Sequence, residues 1–264
     1  MKVGFYQFRP HFGKIRRNAN RIIAALGNAN ADLIVLPELA FTGYYFRDRA
    51  EVVSLAEETT HSPTVNALEQ LCREKNFYIV TGFTEKFRDK YFNSALLIGP
   101  EGLLHTYRKL HLFNEEKNWF DAGDLPLKVN PVKGVKIGIM VCFDWLFPEV
   151  TRTLTLQGAE IICHPSNLVL DYCQQTMLVR CLENRVFAVT ANRYGRDRRP
   201  HGELRFTGKS QIVAPGGDLL YRASSQREAL YIMDINPADA LDKFITARND
   251  VIADRRPEYY LNKP

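Results

Sequence analysis

The chain has 264 residues, 45% hydrophobic and 25% charged, with a formal net charge of +5. That composition is ordinary for a globular fold, long enough to bury a large core and too mildly basic to call for a nucleic-acid partner. The five cysteines (Cys72, Cys142, Cys163, Cys173 and Cys181) form no Cys-x-x-Cys pair and have no companion histidine spacing, so neither a disulfide framework nor a metal site is expected.

The opening run Lys2 to Phe8 reads as a first strand and lacks the long apolar core of a signal peptide. No stretch approaches the roughly 18 apolar residues of a membrane span, and a reducing cytoplasmic setting is expected. From Gly13 to Gly27, Ile15, Ala19, Ile22, Ile23 and Leu26 recur at helical spacing, with Gly27 as a stop. Leu33-Ile34-Val35-Leu36 is a second strand, and the strand-helix-strand order makes the two strands parallel. Leu39 to Arg49 is an aromatic loop. Ser62-Pro63 then starts a helix that buries Val65, Leu68, Leu71 and Cys72.

Phe77 to Thr84 reads as a strand. Asn93 to Ile98 and Leu103 to Lys109 flank Gly99-Pro100-Glu101-Gly102 as a hairpin. The run Lys136 to Val141 is a buried strand that delivers Cys142 at its end, and Pro148 opens a helix running to about Gly158. A thiol at a strand-to-helix turn, near a positive helix end, favours thiolate. The same segment equally suits a buried structural cysteine. Ala159 to His164 is another strand, Asp171 caps a helix to about Arg185, and Phe187 to Ala191 is a further strand. Residues 193–205 form a basic loop with five arginines, read as a solvated surface or a lid because no aromatics are interleaved for stacking on bases. A hairpin about Pro215-Gly216-Gly217-Asp218, a strand from Ala229 to Asp234, a short helix at Pro237 and a charged tail complete the chain. With no linker or repeat, residues 1–264 are expected to form a single domain.

Three polar residues close apolar runs: Glu38, Lys109 and Cys142. In open α/β sheets ligands gather at the carboxyl ends of strands, so the three can converge. Each alone is also explained as a chain meeting water. Together they supply a base, an oxyanion stabiliser and a nucleophile. A Cys-His-Asn/Asp site is the competing arrangement. Only His111 and His164 among six histidines lie near strand ends, and neither sits in a protease-like signature.

Leu36-Pro37-Glu38-Leu39-Ala40-Phe41-Thr42-Gly43-Tyr44, Tyr107-Arg108-Lys109-Leu110-His111-Leu112-Phe113 and Val141-Cys142-Phe143-Asp144-Trp145-Leu146-Phe147-Pro148-Glu149 resemble, in order, the three signature segments of the nitrilase superfamily of carbon–nitrogen hydrolases. The similarity continues through His164-Pro165-Ser166-Asn167-Leu168-Val169, Leu182-Glu183-Asn184-Arg185 and Gly208-Lys209-Ser210. The resemblance implies an α/β fold, a four-layer α-β-β-α sandwich, without cofactor or metal, commonly assembled into a homodimer or higher homo-oligomer through a tail here spanning 245–264. It also implies Glu38 as general base, Lys109 as stabiliser of the tetrahedral intermediate, Cys142 as nucleophile and Glu116, with Glu115 as its rival, as a second glutamate. Tyr44, Phe143, Trp145, His164 and Asn167 are the candidate substrate-binding residues. Relatives acting on N-carbamoyl amino acids tend to carry arginine shortly after the cysteine, where this chain has Trp145 and Leu146, so a small amide is favoured over a carbamoyl amine and both over a nitrile. The alternative of another class is a catalytically retired interaction protein.

Overall fold

The computed structural model describes residues 1–260. β1 (Lys2–Gln7) leads into α1 (Ile15–Leu26), and β2 (Leu33–Val35) returns parallel to β1. Gly27 does end α1, yet it stays right-handed with its N–H on the Ile23 carbonyl, so its access to positive φ is unused. After the aromatic loop comes α2 (Arg49–Leu55), absent from the sequence reading; Asp48 caps it by accepting the Glu51 N–H. α3 (Pro63–Lys75) starts as expected, with Ser62 Oγ accepting from the Val65 N–H.

β3 (Tyr78–Phe87), β4 (Lys90–Gly99) and β5 (Gly102–Arg108) form an antiparallel meander, followed by the single-turn α4 (Glu116–Trp119). β6 (Val129–Val132) pairs with β7 (Val135–Ile139) as a hairpin that the sequence reading lacked. Beyond a 3₁₀ turn at Cys142–Leu146, α5 (Pro148–Leu156) begins with proline at its first position and β8 (Ile161–Ser166) runs parallel to β7. α6 (Cys173–Asn184) starts two residues past Asp171 with no side-chain cap, so Asp171 lies too early to serve as one. β9 (Phe187–Asn192) continues the parallel run.

The basic stretch is ordered as an antiparallel hairpin, β10 (Tyr194–Arg199) and β11 (Gly202–Thr207), rather than a loop. Its charges are largely paired. Arg193 makes a bidentate bond to Asp197, both contacts 2.8 Å, and Arg199 binds Glu51 at 2.6 and 2.8 Å. Arg196 and Arg198 share Glu203. β12 (Gln211–Val213), β13 (Leu219–Arg222), β14 (Ala229–Asp234), β15 (Phe244–Thr246) and β16 (Asn249–Asp250) follow. Of the tail expected over 245–264, residues 261–264 lie outside the described residues.

Two six-stranded sheets result, in the orders β14-β1-β2-β3-β4-β5 and β13-β12-β9-β8-β7-β6. Their facing sides share one core: Val3, Phe5, Val35 and Val80 meet Ile137, Ile139, Ile161 and Val189. Alternation along the strands turns Tyr6, Ile34, Ile79 and Leu96 the other way, onto Ile22 and Leu26 of α1 and Leu68 and Leu71 of α3. Leu154 of α5 and Met177 and Cys181 of α6 cover the second sheet. This is the expected α-β-β-α sandwich. Among the described residues no helix is long and apolar enough to cross a membrane.

Candidate active site

Glu38, Lys109 and Cys142 follow β2, β5 and β7, strands of both sheets that open at one end of the sandwich. Their side chains meet there. Lys109 Nζ donates to Glu38 Oε1 at 2.7 Å and to both oxygens of Glu116 at 2.9 and 2.7 Å. Lys109, Glu38 and Glu116 are all essentially closed to solvent. Of the adjacent glutamates, Glu116 enters the cluster, whereas Glu115 is exposed and accepts from Asn118. Glu116 also accepts from the Tyr44 hydroxyl at 2.7 Å and the Phe113 N–H at 3.1 Å.

Burial alone would depress the Lys109 ammonium, but the Glu116 and Glu38 charges outweigh it and hold the pKa above its ordinary value. Burial likewise pushes Glu116 up, opposed by Lys109. Removing the Tyr44 phenol from water, beside the Glu116 and Glu38 charges, raises it well above the usual range. The phenol therefore keeps its proton and serves as a donor.

Cys142 is held at φ +43°, a left-handed conformation that a non-glycine residue adopts only when its surroundings enforce it. Three contacts do so. Asp144 Oδ2 accepts the Val141 N–H at 2.8 Å and the Tyr107 hydroxyl at 2.7 Å, and the Cys142 carbonyl lies 2.9 Å from His164 Nε2. Asp144 Oδ1 in turn takes His111 Nδ1 at 2.8 Å, tying the segment after Lys109 to the cysteine turn. Burial first, and the Glu38 charge second, push the Cys142 thiol well above its ordinary pKa, with Lys109 pulling the other way. Burial thus works against the thiolate favoured by the sequence reading. A 3₁₀ turn, with α5 starting only at Pro148, provides no long helix dipole at the sulfur, and desolvation prevails.

A narrow apolar recess opens beside the thiol, with Phe143, Trp145, Asn167 and Phe113 among its walls. Of the candidate substrate-binding residues, Phe143, Trp145 and Asn167 line this recess. Tyr44 and His164 do not line this pocket. Tyr44 holds Glu116, and His164, buried and with a pKa lowered to about 4 by desolvation, braces the Cys142 carbonyl as neutral imidazole. Among the described residues no group of three or more His, Cys, Asp or Glu side chains is arranged to hold a metal ion.

The family profile described as carbon-nitrogen hydrolase matches residues 2–241. The chain is also 41% identical over 263 residues to a nitrilase of Pyrococcus abyssi, covering 98% of this chain and 99% of that one. It belongs to the carbon–nitrogen hydrolase family. An (R)-stereoselective amidase of a Pseudomonas species is 31% identical, with 97% and 92% of the two chains covered. An N-carbamoylputrescine amidase of Solanum lycopersicum is 32% identical, covering 92% and 87%. Among solved structures, a carbon–nitrogen hydrolase of Helicobacter pylori G27 superposes with a TM-score of 0.86 at 24% identity, covering 98% and 96% of the chains. A variant of the amidase of Nesterenkonia sp. AN1, with acrylamide added to its active-site cysteine, gives 0.82 at 23% identity over 98% and 97%. These two share the fold.

Several parts of this hydrolase's site escaped the sequence reading. Asn93, in mid-β4, donates from Nδ2 to Glu38 Oε1 at 2.7 Å, while its carbonyl accepts the Lys109 N–H at 2.9 Å. Nothing distinguishes it in sequence from any polar strand residue. Gly82 was legible: glycine inside a strand marks close backbone approach. A Cβ there would lie 2.3 Å from Glu38 Cα. Gly123 is equivalent on the other side; its N–H bonds the Lys109 carbonyl at 2.9 Å and a Cβ would sit 2.2 Å from the Arg108 carbonyl oxygen.

Proposed function

We propose that this hydrolase cleaves a small, uncharged carboxamide to the carboxylic acid and ammonia through a Cys142 thioester. The observation that carries this is the buried Glu38–Lys109–Glu116 cluster beside the Cys142 thiol on a strained turn. Glu38 Oε1 is occupied by Lys109 and Asn93, whereas Oε2 is buried and has no partner, which leaves it for proton transfer. Glu38 takes the thiol proton as Cys142 Sγ bonds to the carbonyl carbon, and the carbonyl π electrons move to oxygen. The Lys109 ammonium and the Phe143 N–H stabilise that oxyanion. As the oxyanion collapses the C–N bond breaks, and Glu38 returns its proton to the departing nitrogen, releasing ammonia. Glu38 then removes a proton from water, whose oxygen attacks the thioester. Breaking the C–S bond yields the acid and restores the thiol. Glu116 keeps Lys109 charged and orients the substrate.

The apolar pocket supports an uncharged acyl group. No cationic side chain is among its walls, and the arginines of the β10–β11 hairpin are largely paired. The N-carbamoylputrescine amidase relative supports a carbamoyl amine as the second reading. The intact Glu-Lys-Cys set disfavours a retired binding protein.

The test is ammonia release from a panel of small amides, N-carbamoyl amines and nitriles, beside Cys142→Ala. Release that vanishes in folded Cys142→Ala protein is expected; appreciable residual turnover would remove Cys142 as nucleophile.

Assembly as a homodimer through the outer face of α6 and the tail is part of the same reading. Half-exposed Leu146, Val179, Leu182, Phe244 and Ile245 supply apolar surface on that side, where Lys243 ties the tail to the end of α6. Sedimentation at the mass of one chain at micromolar concentration would reject it.

A further inference from the structure

The wall beside Cys142 carries one polar side chain whose bonding is incomplete. Asn167 is 2% exposed and forms part of the pocket with Cys142, Phe143 and Trp145. Its Nδ2 donates to the Glu38 backbone carbonyl at 2.7 Å, which fixes the orientation of the amide, because a carbonyl takes only the NH₂ end. Its Oδ1 is thereby committed to the opposite side, where it is buried and has no partner. A buried acceptor without a donor is uncommon in a folded protein and calls for an explanation. Asn167 follows β8, and the Asn192 side-chain carbonyl accepts the Leu168 N–H at 2.9 Å, so the segment is held and cannot readily turn the amide toward water.

We infer that Asn167 Oδ1 is the acceptor that reads an N–H of the substrate, so that the pocket selects carboxamides against nitriles of the same acyl group. The inference rests on the function proposed above and adds a recognition element to it. The Glu38 cluster holds two more partnerless buried oxygens, Asn93 Oδ1 and Glu38 Oε2, but Oε2 is the atom that takes the thiol proton, so Asn167 Oδ1 is the one on the pocket wall left for a substrate donor. A carboxamide brings an N–H donor to the Asn167 acceptor, while a nitrile brings none and leaves it unpaired. A site built to accept a substrate N–H discriminates strongly against an analogue that lacks it, even when the analogue is smaller and fits. Sterics therefore do not explain the selectivity, and the neighbouring apolar walls do not supply it.

The experiment pairs propionamide with propionitrile and isobutyramide with isobutyronitrile, measured on wild type and on Asn167→Leu, a variant close in size. The kcat/KM for amide should fall on the order of tenfold more than that for the matched nitrile, the value of one hydrogen bond. Nitrile kcat/KM reports attack on a substrate that has no N–H, so it provides the reference. An equal fall for both would mean that Asn167 only holds the Glu38 backbone, and would overturn the inference. No fall for the amide would overturn it as well. A second arm needs no turnover: binding of the same pairs to Cys142→Ala and to Cys142→Ala/Asn167→Leu protein by calorimetry. Tighter binding of the amide that disappears with Asn167→Leu is expected; equal amide and nitrile affinity in Cys142→Ala protein rejects the reading whatever the variant's fold. If amides bind selectively yet wild type releases no ammonia from them, the recognition stands and the proposed reaction falls.

Discussion

Gly82→Ala tests whether the position of the Glu38 carboxylate is set by backbone contact between strands. Gly82 packs directly on the segment that carries Glu38: its N–H bonds the Pro37 carbonyl at 3.1 Å and its carbonyl accepts the Ala40 N–H at 3.3 Å. A Cβ added there would meet Glu38 Cα and the Leu39 nitrogen at 2.3 Å. Reaching the 3.4 Å of ordinary contact requires a separation greater by about 1.1 Å. The struck atoms are backbone on both sides, so no flexible side chain can absorb that movement. β3 is held between β2 and β4, which directs much of it into the Glu38 loop, where Leu39 already sits at φ +47°. A misplacement of this size at a reacting group lowers the rate by about 100-fold, and overpacking of this kind destabilises by about 1–3 kcal/mol. The assay is kcat/KM for ammonia release from a primary amide, beside far-UV circular dichroism and a thermal melt of the same preparation. The expected result is a native spectrum, a lowered melting temperature and activity down by two orders of magnitude. Activity within about threefold of wild type would refute the claim that this contact positions the carboxylate.

Lys109→Met removes the only cation that, among the described residues, is bonded to the buried Glu38 and Glu116 carboxylates, so stability at neutral pH should fall by about 3–5 kcal/mol, with turnover down at least about 100-fold; urea unfolding with near-normal stability, or a near-normal rate, would contradict the charge assignment. His164 gives a pH signature. Its folded pKa of about 4 lies below the ordinary 6.5, so the unfolded chain binds more protons between these values and stability is lost as pH falls through that window. From pH 7 to 5 this group accounts for about 2 kcal/mol, and His164→Gln should lose that part of the slope in urea titrations at the two pH values; an unchanged slope would place the titration elsewhere.

Much of the fold was readable because the strands that cross the core are apolar runs and α1 and α3 bury one regular face. Leu33 to Leu36 and the central run Lys136 to Val141 announce buried strands by composition alone, and Ser62-Pro63 announces a helix start by local chemistry. The misses share a cause. β6 contains Pro131 and α2 carries only Val52 inward, so neither has the periodic apolar signal that the reading depended on. The arginine-rich hairpin reads as loop because its order comes from ion pairs and from Arg193 lying over the Phe206 ring, 3.9 Å from the centroid, and not from alternating apolar residues.

The site divides along the same line. Glu38, Lys109 and Cys142 stand out because charged or reactive residues close apolar runs, whereas their supports act through backbone and buried amides that carry no sequence signature. Electrostatics were misread for a related reason. A local sequence places Cys142 near a helix start, but the thiol's ionisation is governed by how completely two sheets and their loops exclude water around it, a property of the whole sandwich. Exclusion of water protects the thiol from ionising and strengthens the interactions of Glu38 and Lys109 at the same time. A buried ammonium shared by two carboxylates is held charged, while burial and the charges of the same two carboxylates push the Cys142 thiol up against the pull of Lys109.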